Sequence, residues 1–173
     1  MGAVSASRVV RPVRIGVVGE REAAPDLQEA AHAVGREVAR RGGVVVCGGM
    51  GGVMEAVSRG AAEAGGIVVG ILPTPTAEGA NPHVTIPVPT GMGEGRNVIV
   101  ARASEALIAV GGWYGTLSEI AYALRMGTPV IGLRTWRIER EGLDQDPIVR
   151  AQTPQEAVER AWSAALRRRA GLL

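Results

Sequence analysis

The sequence predicts an α/β fold: a single Rossmann-like, doubly wound, mainly parallel sheet with helices on both faces. Three observations carry that expectation. Short, continuous apolar runs recur along the 173 residues, and helical patterns fall between them. Strands buried on both faces and joined by crossover helices read this way. Glycine clusters mark the junctions, where tight turns and helix starts are needed. Hydrophobic residues make up 46% of the chain while aromatics are 3% and Phe is absent, so one core built from aliphatic side chains is expected.

In chain order, residues 1–12 read as a disordered lead with no long apolar core of the secretory type. Residues 13–173 read as a single nucleotide-binding domain. Val13–Val18 is the first buried strand. Pro25–Arg41 is a helix closed by Gly42-Gly43, and Val44–Cys47 the second strand. Val53–Ala64 is a helix ending at Gly65-Gly66, and Ile67–Leu72 a third strand stopped by Pro73. A loop from Thr74 to Pro82 leads to a short strand over Val84–Val88. Asn97–Ala103 is helical, and Ala106–Val110 is a strongly apolar strand. Thr116–Met126 is a helix, Pro129–Leu133 a strand, and Arg134–Asp146 polar and irregular. Ile148–Ala151 is a last short strand, and Pro154–Arg169 closes the chain as a helix. In such sheets ligands bind beyond the carboxyl ends of the strands, where the glycine clusters fall.

Composition excludes several classes of function. All 19 basic residues are Arg, and Lys is absent. That removes a lysine Schiff base to pyridoxal phosphate and the lysine-ending phosphate loop of ATPases. Cys47 is the single cysteine, and His32 and His83 stand far apart, so neither a disulfide nor a zinc site is expected. Net charge is +2, and Arg167-Arg168-Arg169 is the one basic cluster, which suits a helix C-terminus. Nucleic-acid binding would need a broader basic surface. No run reaches the ~18 apolar residues of a membrane span. A cytoplasmic protein without nucleic-acid or membrane partners is the expectation.

Three glycine-rich junctions are candidate ligand sites. Gly16-Val-Val-Gly19-Glu20 ends the first strand and lacks the full dinucleotide pattern, so a plain tight turn explains it as well. Cys47-Gly48-Gly49-Met-Gly51-Gly52 precedes a helix and would let backbone N–H groups approach a ligand. Close helix–strand packing is the alternative. Val110-Gly111-Gly112-Trp113-Tyr-Gly115-Thr116-Leu-Ser-Glu119 precedes another helix. Helix N-termini at one sheet edge suit phosphate, with arginine as the remaining cation. Arg96, at the start of a helix, opposes the helix dipole unless an anion is near. Arg102, six residues on, does not share its helix face cleanly, and a surface ion pair explains it equally. Thr116-Leu-Ser-Glu119 also matches a capping box, as does Thr153-Pro-Gln-Glu156, where no glycines precede. Spacing alone does not choose between a cap and a site at Glu119.

Together these junctions resemble the lonely-guy (LOG) phosphoribohydrolases and the related molybdenum-cofactor carrier proteins, over roughly Gly16–Leu133. Gly111–Glu119 occupies the signature P-G-G-x-G-T-x-x-E, Arg96 stands fifteen residues before Gly111, and Arg102 falls on a second family arginine. Cys47–Glu55 with Ile67–Pro73 matches the other glycine loop and its strand. The resemblance implies cleavage of the N-glycosidic bond of a nucleoside 5′-monophosphate, giving base and ribose 5-phosphate, with Arg96 and Glu119 as catalytic residues. Gly19, Gly48, Gly49, Gly51, Gly52, Arg102, Gly111, Gly112, Trp113, Gly115 and Thr116 would hold ligand or phosphate. The carrier branch implies instead a phosphorylated pterin, bound without chemistry. Neither requires a metal or an organic cofactor of its own, and homodimers or larger homo-oligomers are implied, with Ile120–Met126 a candidate interface helix that internal packing explains equally. An ionised Glu119 at a helix N-terminus is expected, able to steady positive charge on the ribose. Gly111 replaces the signature's proline and Trp113 its second glycine. The indole would either obstruct phosphate or stack on a flat heterocycle. Glu55 and Tyr114 are further candidates for the same cleft, and core or surface roles explain them equally.

Overall fold

The computed structural model describes residues 11–172, so the lead expected over residues 1–12 lies almost wholly outside the described residues. The elements follow in order as β1 (Arg14–Gly19), α1 (Pro25–Arg40), β2 (Val44–Cys47), α2 (Val53–Glu63), β3 (Ile67–Leu72) and β4 (Ile86–Pro89). Then come α3 (Asn97–Ala103), β5 (Ala106–Val110), α4 (Tyr114–Arg125), β6 (Val130–Leu133), β7 (Val149–Arg150) and α5 (Pro154–Arg169). Two 3₁₀ turns, Ala77–Gly79 and Gly93–Arg96, lie in the long connection from β3 to α3.

The seven strands form one sheet in the order β4-β3-β2-β1-β5-β6-β7, and every pairing is parallel. The alternating pleat divides the buried side chains between two layers. Ile15, Val17, Val45, Val68, Ile108 and Ile131 pack with α1, α2 and α5. Val18, Val46, Leu107, Ala109 and Val130 pack with α3 and α4 on the other face. Small residues let the helices close up. A Cβ at Gly35 of α1 would stand 2.0 Å from the Val57 carbonyl oxygen, and one at Gly60 of α2 would stand 2.0 Å from that of His32. Backbone contact between α1 and α2 therefore replaces the aromatic bulk that this core lacks.

Most elements match the sequence reading within one or two residues. The Val84–Val88 strand is shifted to Ile86–Pro89, and Ile148–Ala151 shrinks to Val149–Arg150. The helix expected from Thr116 starts instead at Tyr114, a difference with consequences for the site. Among the described residues no helix is long and apolar enough to cross a membrane.

β1 pairs with β2 on one side and with β5 on the other, so the connections leave the sheet in opposite directions from these neighbours. Gly19 at the end of β1 lies in register with Val110 at the end of β5. A crevice opens beyond the carboxyl ends of two such strands, where the chains diverge.

Candidate functional site

A cleft of about 480 Å³ occupies this switch point. Of the residues singled out from the sequence, Gly19, Arg96, Trp113, Gly115, Thr116 and Glu119 line it. The loop after β1, the 3₁₀ turn before α3 and the first turns of α4 supply them.

Arg96 closes the 3₁₀ turn Gly93–Arg96 and leads directly into α3. It is 8% exposed. Its Nη1 donates to Glu119 Oε1 at 3.2 Å, spanning 23 residues of sequence. Its Nε is buried with no hydrogen-bond partner among the described residues. A buried charged donor left unmatched is costly, and this one belongs to a side chain that lines the cleft. The guanidinium lies against Gly48, where a Cβ would stand 2.5 Å from Nη2 and 2.6 Å from Nη1. Glycine at position 48 thus makes room for the arginine.

Glu119 is not the far end of a capping box. Trp113 is the N-cap of α4, in extended conformation, and accepts no side-chain cap bond. Thr116 falls at the third helical position, is 3% exposed, and packs where a Cβ on Gly112 would stand 2.4 Å from its own Cβ. Glu119 then lies in the second turn and turns toward Arg96. The contrast is Thr153, whose hydroxyl oxygen accepts the Glu156 N–H at 3.1 Å, while the Glu156 carboxylate accepts from the Gln152 N–H at 2.7 Å. One T-x-x-E is a cap, and the other is not.

The charge state expected for Glu119 is also reversed. Burial pushes its carboxyl up from 4.5 to about 8, and the Coulombic pull and hydrogen bond of Arg96 only partly oppose this. At 6% exposure desolvation of the charged form wins. The group holds its proton at neutral pH. Burial likewise pushes the Cys47 thiol up, which makes it an inert core residue rather than a nucleophile.

Other predicted residues serve the frame of the site. Gly112 donates its N–H to Glu20 Oε1 at 2.9 Å, and Val53 at the start of α2 donates to the Glu20 carbonyl at 2.9 Å. Glu20 therefore ties the β1 loop to both other glycine junctions. Gly52 (φ +64) passes so close to that loop that a Cβ would meet the Glu20 carbonyl oxygen at 2.2 Å. Gly49 packs on Leu72 and Gly70, and Gly111 on Leu27 and Glu20. Gly48, Gly49, Gly51, Gly52, Gly111 and Gly112 do not line the cleft, and the β2–α2 loop contributes Met50 to it instead. Arg102 is exposed on the last turn of α3 and also lies outside the cleft, as does the exposed Glu55. Ile120 and Ala123 are fully buried under α4, so those two side chains serve the internal core.

Trp113 does not cover the first turn of α4. It is 67% exposed and leaves the first turn of α4 open at Gly115 and Thr116, whose N–H groups have no side-chain cap. The Trp113 ring lies 6.4 Å from that of Tyr114, which lies 5.8 Å from Trp136. Trp136 also donates Nε1–H to the Trp113 carbonyl oxygen at 3.3 Å. Tyr114, 73% exposed, belongs to this outer aromatic row rather than to the cleft.

The sequence reading did not single out Arg21, Glu22, Met50, Met54, Glu94 and Asn97, which complete much of the lining. Their only local signal is position next to a glycine junction. Asn97 also steadies the wall, donating Nδ2–H to Ser118 Oγ at 3.0 Å.

Over 155 residues the chain is 41% identical to an uncharacterized protein of Archaeoglobus fulgidus, covering 90% of this chain and 98% of that one. It is similar in structure to the molybdenum cofactor binding protein of the phototrophic bacterium Rippkaea orientalis, with a TM-score of 0.80, 35% identity, and 88% and 97% of the two chains covered. It is similar also to the molybdenum cofactor carrier protein of Chlamydomonas reinhardtii, with a TM-score of 0.80, 32% identity, and 90% and 99% covered. The model of the SLOG cluster4 family matches residues 12–158. In agreement with the LOG-like resemblance of its glycine junctions, the chain belongs to the SLOG cluster4 family.

Proposed function

We propose that this protein binds a phosphorylated heterocycle of the pterin class and acts as a carrier or binding protein for the molybdenum cofactor. The observation that carries the reading is Arg96 Nε, a buried donor without a partner among the described residues in a side chain that lines the cleft. A phosphate oxygen there would satisfy it, and the uncapped first turn of α4 offers further N–H donors beside it. Trp113 at the rim offers an indole face to a flat ring. The cofactor is cargo on this reading, and no step of chemistry is asked of Glu119. Its carboxyl instead accepts from Arg96 and keeps the guanidinium in place.

The test is mass spectrometry of small molecules released from the purified protein, followed by protection of added molybdenum cofactor from air oxidation. Release of a pterin, and protection that disappears in Arg96→Ala with the fold intact, are the expected results. Absence of both would reject the carrier.

One observation favours a phosphoribohydrolase as the second reading. A carboxyl that keeps its proton up to about pH 8 is a competent general acid toward a leaving base. Arg96 would then hold the phosphate. Release of ribose 5-phosphate from AMP or N6-modified AMP, lost in Glu119→Gln, would replace the carrier reading with this one.

A further inference from the structure

Four carboxyl groups and two guanidiniums line the cleft: Glu20, Glu22, Glu94 and Glu119 with Arg21 and Arg96. Two of the acids are engaged. Glu20 accepts the Gly112 N–H at 2.9 Å, and Glu119 accepts from Arg96 at 3.2 Å. Glu22 and Glu94 are exposed at the rim, and neither side chain has a hydrogen-bond or ion-pair partner among the described residues.

This arrangement sets two exposed carboxylates beside the exposed guanidinium of Arg21 and the buried one of Arg96, so acceptors and donors are mixed in it. It suits a ligand with two unlike ends. The buried Arg96, its side chain 10% exposed and its Nε unmatched, receives the anionic end. At the rim Glu22 and Glu94 offer acceptors only, since an ionised carboxylate has no proton to donate, while the neighbouring Arg21 offers donors only. A heterocycle held by one of these carboxylates must present donors along that edge. The 2-amino-4-oxopyrimidine edge, shared by pterins and guanine, carries a ring N–H and an exocyclic NH₂ side by side, matched to the two oxygens of one carboxylate. Adenine presents a bare ring nitrogen at the corresponding position, and its lone pair faces the carboxylate unfavourably.

Glu22 is better placed than Glu94 for this contact. The Glu20–Gly112 bond fixes the chain two residues before Glu22 against the residue that precedes Trp113, so the Glu22 segment is tied to the loop carrying the indole. Glu94 belongs to the 3₁₀ turn that carries Arg96, at the anion end.

We propose that Glu22 is a specificity-determining residue that reads the 2-amino-4-oxopyrimidine edge, so that the cleft prefers pterin- and guanine-type ligands to adenine-type ones. The inference rests on the phosphorylated-heterocycle reading above. GMP, IMP and AMP make the test, because all three carry the same ribose 5′-phosphate and differ only in the base edge. Calorimetric titration of the wild type should give GMP binding tighter than AMP by about tenfold or more, the worth of one good bidentate contact, with IMP between them. Glu22→Gln should bring GMP to within about threefold of AMP, chiefly by weakening GMP. Glu94→Gln should keep the wild-type ratio. AMP bound as tightly as GMP by the wild type, or a ratio unchanged in Glu22→Gln, would overturn the inference. Equal binding of all three nucleotides that is lost in Arg96→Ala would overturn it too, while leaving the phosphorylated-ligand reading in place.

Discussion

Replacing Glu119 by Gln probes the buried pair at the floor of the cleft. In the folded chain the carboxyl is raised from 4.5 to about 8 by burial, in spite of Arg96. In the unfolded chain it titrates near 4.5. Between these values the folded state holds a proton that the unfolded state has released, so stability falls as pH rises. The contribution is complete below about pH 4.5 and is lost as pH rises through about 8. At ~1.4 kcal/mol per pH step the upper bound is ~5 kcal/mol, and relaxation around a newly charged buried group reduces this to about 2–3 kcal/mol. Gln has nearly the same shape, is neutral throughout, and its carbonyl oxygen can still accept from Arg96 Nη1. The variant should therefore match the wild type within about 1 kcal/mol near pH 5 and exceed it by about 2 kcal/mol near pH 9. Urea midpoints of both proteins across that range measure the difference directly, because other titrating groups cancel between them. A difference that stays flat with pH, or a wild type that gains on the variant as pH rises, would mean that Glu119 is ionised throughout, and the argument from burial would be wrong.

Three further substitutions separate frame from site. Gly48→Ala places a methyl group 2.5 Å from Arg96 Nη2 and should weaken a phosphorylated ligand by about tenfold, read by titration, with the circular dichroism spectrum retained. Trp113→Ala removes an exposed ring, so stability should stay within about 0.5 kcal/mol, while ligand affinity falls by ~1–3 kcal/mol as a stacking surface is lost. Thr153→Ala removes the cap bond to the Glu156 N–H and should cost about 1 kcal/mol, lowering Tm by ~2–4 °C with no change in ligand affinity.

Much of the fold was legible in the chain. β2, β3, β5, α3 and α5 fall where the apolar runs and helical periods put them, because burial on both faces writes itself into a strand as an unbroken aliphatic run. The misjudged elements lie at the sheet edges and at a helix start. β4 reads Ile-Pro-Val-Pro and is exposed throughout, so hydrophobicity did not locate its ends. The start of α4 was misplaced because Thr116 looks like a cap in isolation. Its burial against Gly112, a contact within the folded turn, overrides that local preference.

Within the site, the sequence by itself determined which residues were worth attention. It singled out Arg96 and Glu119, excluded lysine chemistry for want of any lysine, and set glycines at the junctions of a parallel sheet. Only the tertiary structure decided how those residues are arranged. Arg96 and Glu119 meet across 23 residues, on separate elements whose approach depends on Gly48 having no side chain. The proton on Glu119 follows from its burial there, since the free energy of a charge depends on surroundings that a linear pattern does not contain. The same packing keeps Gly48, Gly49, Gly51 and Gly52 out of the cleft lining, to which their loop contributes Met50, beside Glu22, Glu94 and Met54 from neighbouring segments.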